Sequence, residues 1–122
     1  MVFKDILKQT LERTEGALGA LIMGMDGIAV EKYLLDAGRD ANLDVAAAEF
    51  NQLLRNAQRA GKTMGYGALS EMVVSLDNMK FVMRLLSADY FIVLAIEPDG
   101  NLGRGRFELR KAELDLAREF VL

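Results

Sequence analysis

The chain has 122 residues and a formal net charge of −3, is 52% hydrophobic and 27% charged, and contains neither Cys nor His. That length fits one domain and can remove roughly two-thirds of the unfolded-chain surface from water, so no covalent staple is needed. The missing residue types exclude thiolate zinc sites, disulfide scaffolding, and Ser–His–Asp or Cys–His catalysis.

The acidic balance, without any Lys/Arg cluster, argues against a nucleic-acid partner. The start Met1-Val2-Phe3-Lys4-Asp5 lacks the basic head and long apolar core of a signal peptide. No apolar run approaches the length of a bilayer span. These features lead us to expect a single cytoplasmic domain over 1–122.

Phe3, Ile6, Leu7, Thr10, Leu11 and Thr14 recur at helical spacing. They predict an amphipathic helix over about 2–15, with Gly16 as the residue that ends it. Two apolar runs, 17–25 and 28–35, then flank Asp26-Gly27, the signal for a two-residue type I′ hairpin. Its register sets Met25 opposite Ile28, Met23 opposite Val30 and Leu21 opposite Lys32. The first strand is apolar on both faces, whereas the second carries Glu31-Lys32 and suits a sheet edge.

After a polar loop over 36–41, Asn42 can cap a helix that runs to Ala60 and stops at Gly61. Phe50, Leu53, Leu54, Ala57 and Ala60 form its expected buried stripe. Asn51, Arg55, Gln58, Arg59 and Lys62 present a polar, mildly basic face. Runs 68–76 and 79–86 follow, joined by Asp77-Asn78. A two-residue link puts Leu76 opposite Met79, Val74 opposite Phe81, Met72 opposite Met83, and Glu71 opposite Arg84. The opposite-charge pair falls into register by itself, which supports the pairing.

Tyr90-Phe91-Ile92-Val93-Leu94-Ala95-Ile96 has no charge and no alternation, so it reads as a strand covered on both faces. Pro98-Asp99-Gly100 stops it, and Asn101 caps a last helix over about 102–121. Leu102, Gly105, Leu109, Ala112, Leu116 and Phe120 lie along one side, and Gly103 and Gly105 imply a close approach to the sheet. The two strands that want cover on both faces should be neighbours. The fold class is therefore α+β: α-β-β-α-β-β-β-α, a five-stranded antiparallel sheet of order 2-1-5-4-3 between helices.

That order leaves the strand over 68–76 at an edge with a single charge, Glu71, before Asp77, and no Pro. Monomers usually blunt such an edge, because its free N–H and C=O groups template association. We expect two copies to pair there into a continuous sheet about a two-fold axis, with the helix over 42–60 beside its mate. Leu69, Glu71, Met72, Val73, Val74, Ser75, Phe50 and Leu54 are the expected interface.

No motif points to catalysis or to a cofactor. Gly61-Lys62-Thr63 resembles the end of a phosphate-binding loop, but position 56 is Asn and a helix precedes it. Gly103-Arg104-Gly105 lacks the third Gly of a dinucleotide fingerprint, since position 108 is Glu. No two carboxylates are placed as an acid–base couple. Arg55 and Arg59 stand one helical turn apart and could reach a phosphate in trans, though a solvated helix face is the favoured reading of the two.

The topology, with Gly19-Ala20 leading into Met25-Asp26-Gly27-Ile28-Ala29-Val30, the mid-chain helix followed by Gly61, and the ending Gly100-Asn101-Leu102-Gly103, resembles the Roadblock/dynein light chain family. The compact form is similar to bacterial members of the mutual gliding-motility B type. The resemblance implies a non-enzymatic homodimer that binds a Ras-like small GTPase as an activating or exchange partner. It places that partner over the paired mid-chain helices, here Asn51, Arg55, Gln58, Arg59 and Lys62. A dimeric scaffold holding a peptide segment, as in dynein light chain relatives, is the alternative.

Overall fold

The computed structural model describes residues 2–35 and 43–120. The elements run α1 (Val2–Glu12), β1 (Ala17–Gly24), β2 (Ala29–Leu34), α2 (Leu43–Thr63), β3 (Glu71–Ser75), β4 (Lys80–Leu85), β5 (Tyr90–Ile96) and α3 (Leu102–Phe120). The five strands form one antiparallel sheet in the order β2-β1-β5-β4-β3, as the burial pattern of β1 and β5 requires. The loop over 36–41, the cap at Asn42 and the helix end at Val121 lie outside the described residues.

Helices α1 and α3 cover one face of the sheet, where Leu7, Leu11, Ile22, Val82, Ile92, Leu94, Leu109 and Leu116 form one core layer. The other face carries α2, over a second layer of Leu21, Met23, Leu54, Phe81, Met83, Phe91 and Val93. Thr10 and Thr14 sit in the apolar stripe of α1 because their hydroxyls donate back to the Ile6 and Thr10 carbonyls. Asn101 caps α3 by accepting from the Arg104 N–H at 2.9 Å. A Cβ on Gly105 would stand 2.5 Å from the Ile96 side chain, which accounts for the close approach of α3 to the sheet.

The β3–β4 register matches the expected one at Glu71–Arg84, Met72–Met83 and Val74–Phe81, and the Leu76 N–H reaches the Met79 carbonyl. The first hairpin differs. Leu21 does face Lys32, but a bulge between Ile22 and Met23 sets Met23 opposite Ala29 rather than Val30. The turn is not type I′, because Gly27 alone has positive φ (86°). The Gly27 N–H donates to the Gly24 carbonyl and the Gly24 N–H to the Ile28 carbonyl, a three-residue loop closed by a left-handed Gly. Asp26 instead accepts from the Ile28 N–H.

Two helix ends also move. Helix α1 stops at Glu12, and Gly16 belongs to the turn that enters β1. Helix α2 runs through Gly61 to Thr63 and ends at Gly65, φ 75°. The Tyr66 N–H bonds the Gly61 carbonyl and the Gly65 N–H that of Lys62, a Schellman motif with Gly65 as its left-handed residue. Strand β3 is shorter than the run 68–76, since Ala68–Ser70 belongs to the approach.

Candidate functional site

Helix α2 has two unlike flanks. On one, Asp44 pairs with Lys32 of β2 at 3.0 Å. Further along, the Asn51 Nδ2 (2.9 Å) and the Arg55 guanidinium both donate to the Met25 carbonyl at the β1–β2 turn. This flank holds the first hairpin. On the other, Phe50 meets Phe81 of β4 edge to face, with centroids 4.8 Å apart and planes at 61°. That flank therefore looks toward the β4–β3 side of the sheet.

Along the second flank Ala46, Phe50, Leu53, Ala57, Ala60 and Met64 follow at alternating spacings of four and three, the spacing of a helix–helix seam. Leu53, Ala60 and Met64 are exposed and Ala46, Phe50 and Ala57 half-buried. Next to the seam lies β3, whose outer backbone edge pairs with no strand among the described residues. Met72 and Val74 lean on the α2 layer, while Val73 is 38% exposed. Ser75 is exposed, and Leu69 is half-buried at the entry to the strand.

Glu71 is tied down. It takes Arg84 Nη1 at 3.1 Å and Arg106 Nη2 at 2.7 Å, and Arg84 also donates to Glu113 of α3. The Glu71 hydrogen bond, and behind it the Glu71 charge, raises the pKa of Arg106 above its ordinary value. This chain of ion pairs anchors the edge strand to α3 across the sheet face.

Two expected contact residues do not reach the surface. Leu54 is 1% exposed, because it points into the sheet from the middle of α2. Asn51 is 8% exposed and spends its amide on Met25. Arg55 is exposed as a residue but committed to the same carbonyl. Arg59 remains at the surface with a long 3.5 Å contact to Asn56, and Lys62 is exposed nearby. Gln58 and Lys62 join Gly65, Gly67, Ala68 and Leu69 around an open groove of about 470 Å³. Sequence reading missed this groove and the exposed Tyr66 beside it. The signal was there in Gly65-Tyr66-Gly67, an aromatic held out between two glycines.

Among the described residues, no cluster of three or more acidic side chains is arranged to hold a metal, and no helix is long and apolar enough to cross a membrane.

Comparison with known proteins agrees with this architecture. A search of curated proteins gives no significant match. MglC from Myxococcus xanthus is 38% identical over 98% of this chain and 100% of its own, with a TM-score of 0.70. The gliding protein MglB from Thermus thermophilus is 24% identical over 95% and 86%, with a TM-score of 0.84. A Roadblock/LC7 domain from Streptomyces avermitilis, 16% identical over 98% of both chains, superposes at 0.83. The last two speak for the fold alone, while the first also carries sequence kinship. The Roadblock/LC7 domain model matches residues 3–96, and with that match this chain belongs to the Roadblock/LC7 family.

Proposed function

We propose that this chain is a cytoplasmic, homodimeric and non-catalytic regulator of a Ras-like small GTPase. The observation that carries the reading is the continuity of the bare β3 edge with the four-and-three seam of α2. Pairing of β3 with its symmetry mate satisfies the free backbone groups, and the same two-fold axis lays one seam against the other. The alanines at 46, 57 and 60 allow the helix backbones to come close, and Leu53 and Phe50 fill between them.

The GTPase then meets the far end of the paired helices, where Arg59 and Lys62 stand exposed. With Arg55 held on the Met25 carbonyl, a regulator of this design acts by shaping the GTPase rather than by lending an arginine. Family membership supports that choice of partner. A second reading, a dimeric scaffold for a peptide segment, is favoured by the open groove at Gln58, Lys62 and Leu69.

The test is sedimentation of the pure chain, alone and with a Ras-like GTPase from the same organism loaded with GDP or a GTP analogue. A dimer that captures one loaded form supports regulation, and turnover is then assayed. A dimer that captures neither moves the conclusion to the scaffold. A monomer removes both.

A further inference from the structure

Helix α3 carries a second, unrelated surface. At 3.6 residues per turn, Arg104, Phe107, Arg110, Lys111, Leu114 and Arg118 fall within about a third of its circumference. Gly105, Leu109, Ala112 and Leu116 are buried on the opposite side, against the sheet. Phe107 is 54% and Leu114 64% exposed. Arg104 and Lys111 hold their charges 5.4 and 5.7 Å from the centre of the Phe107 ring.

Acidic side chains are kept off this sector. Glu113 turns to Arg84, and Asp115 only borders it. The Glu108 side chain is 3% exposed and lies beneath Arg104 and Lys111, at 2.7 and 3.9 Å. Four cations, of which Arg104 and Lys111 share the buried Glu108 carboxylate, thus ring two exposed apolar side chains in a chain whose net charge is −3.

We propose that this face docks on an anionic lipid surface. It is the outward side of a helix, opposite the face that packs on the sheet. Two apolar side chains two turns apart fall far short of the roughly 800 Å² per partner that a stable protein interface buries. A bilayer surface asks less. Phe107 and Leu114 enter the headgroup region while the long cationic side chains reach lipid phosphates and the helix lies flat. The sheet already holds α3 in that pose, so docking orders nothing new.

The face lies on the side of the sheet away from α2, so docking leaves the β3–α2 site open. The inference does not rest on the dimer or on the GTPase. If copies pair through β3, both α3 faces look the same way and the attachment becomes bivalent.

The experiment is co-sedimentation of the full chain with vesicles of phosphatidylcholine, with and without phosphatidylserine, at low and high salt. The wild type should pellet only with the phosphatidylserine vesicles, and salt should release it. Phe107→Ser with Leu114→Ser, and separately Arg110→Glu with Arg118→Glu, should each lower the bound fraction about tenfold. Unchanged thermal melting shows that these surface variants fold. A folded wild type that ignores phosphatidylserine vesicles overturns the proposal, as does binding that neither variant weakens. Capture of soluble polyglutamate without vesicle binding would assign the face to an acidic protein segment instead.

Discussion

Gly61 and Gly67 meet backbone to backbone: a Cβ on Gly61 would stand 2.6 Å from the Gly67 carbonyl oxygen. The Gly67 N–H in turn reaches the Gly61 carbonyl at 3.2 Å. The chain leaving α2 therefore doubles back under the last turn on its way to β3. Gly61→Ala gains about 1 kcal/mol in helix propensity. It also forces a methyl against a backbone oxygen of the returning chain, at a cost of about 1–3 kcal/mol. The clash should win, lowering the denaturant midpoint and with it the unfolding free energy by a net of up to about 2 kcal/mol. An unchanged midpoint would mean the 65–69 segment yields freely.

The Met25 carbonyl depends on α2 for its donors. Asn51→Ala removes the buried one and leaves only Arg55, so stability should drop by about 1–2 kcal/mol. Amide exchange at Gly27 and Ile28 should quicken more than exchange in β5, because the lost bond braces the turn. Uniform quickening would show that Asn51 supports the whole core rather than the hairpin.

The strands were legible because their signals are self-contained. The seven uncharged residues of β5 demand cover on both faces, and the two-residue link at Asp77-Asn78 brings Glu71 opposite Arg84. Glycine and amide positions were less legible because their roles depend on partners distant in sequence. Gly61 looks like a stop signal until Gly67 returns beside it, and Asn51 looks solvated until the β1–β2 turn rises to meet it. Helix periodicity identified α2 as amphipathic but could not say that Leu53 lies outside the core and Leu54 inside it. The basic face of α3 was hidden for a related reason. In sequence its cations alternate with acids, and only the burial of Glu108 and the turning of Glu113 to Arg84 separate the two signs.

Arg84 joins the edge strand to α3 by reaching Glu71 and Glu113 together. Its side chain is largely shielded from water, so Arg84→Met strands Glu113 and leaves Glu71 with Arg106 alone. The expected loss is about 2 kcal/mol. A double-mutant cycle with Glu71→Gln should give a coupling of about 0.5–1 kcal/mol, since the sites share one network. Strict additivity would show that the pairs are ornamental at this partly exposed site.

Val73 stands midway along the bare edge, paired to Val82 within the sheet. In the proposed dimer its side chain comes close to its own symmetry mate. Val73→Lys puts like charges at that axis while leaving the monomer core untouched, so the dimer should loosen by about tenfold to a hundredfold. Sedimentation at low concentration measures it. A variant that remains as dimeric as the wild type would place the interface elsewhere, and with it the seam of α2.

Arg59 and Lys62 provide the cleanest test of the partner face because neither supports the fold. Among the described residues Arg59 has only the 3.5 Å contact to Asn56, and Lys62 is exposed at the rim of the groove. Arg55 is the poorer choice, since Arg55→Glu would also release the Met25 carbonyl and confuse binding with stability. Arg59→Glu with Lys62→Glu should leave melting and self-association as they are. It should also weaken capture of a small GTPase by about tenfold or more, mainly through slower association, because rim charges steer encounter. Equal affinity in the variant would remove this end of α2 from the site. Equal association with faster release would mean that the two side chains are buried in the complex rather than at its rim.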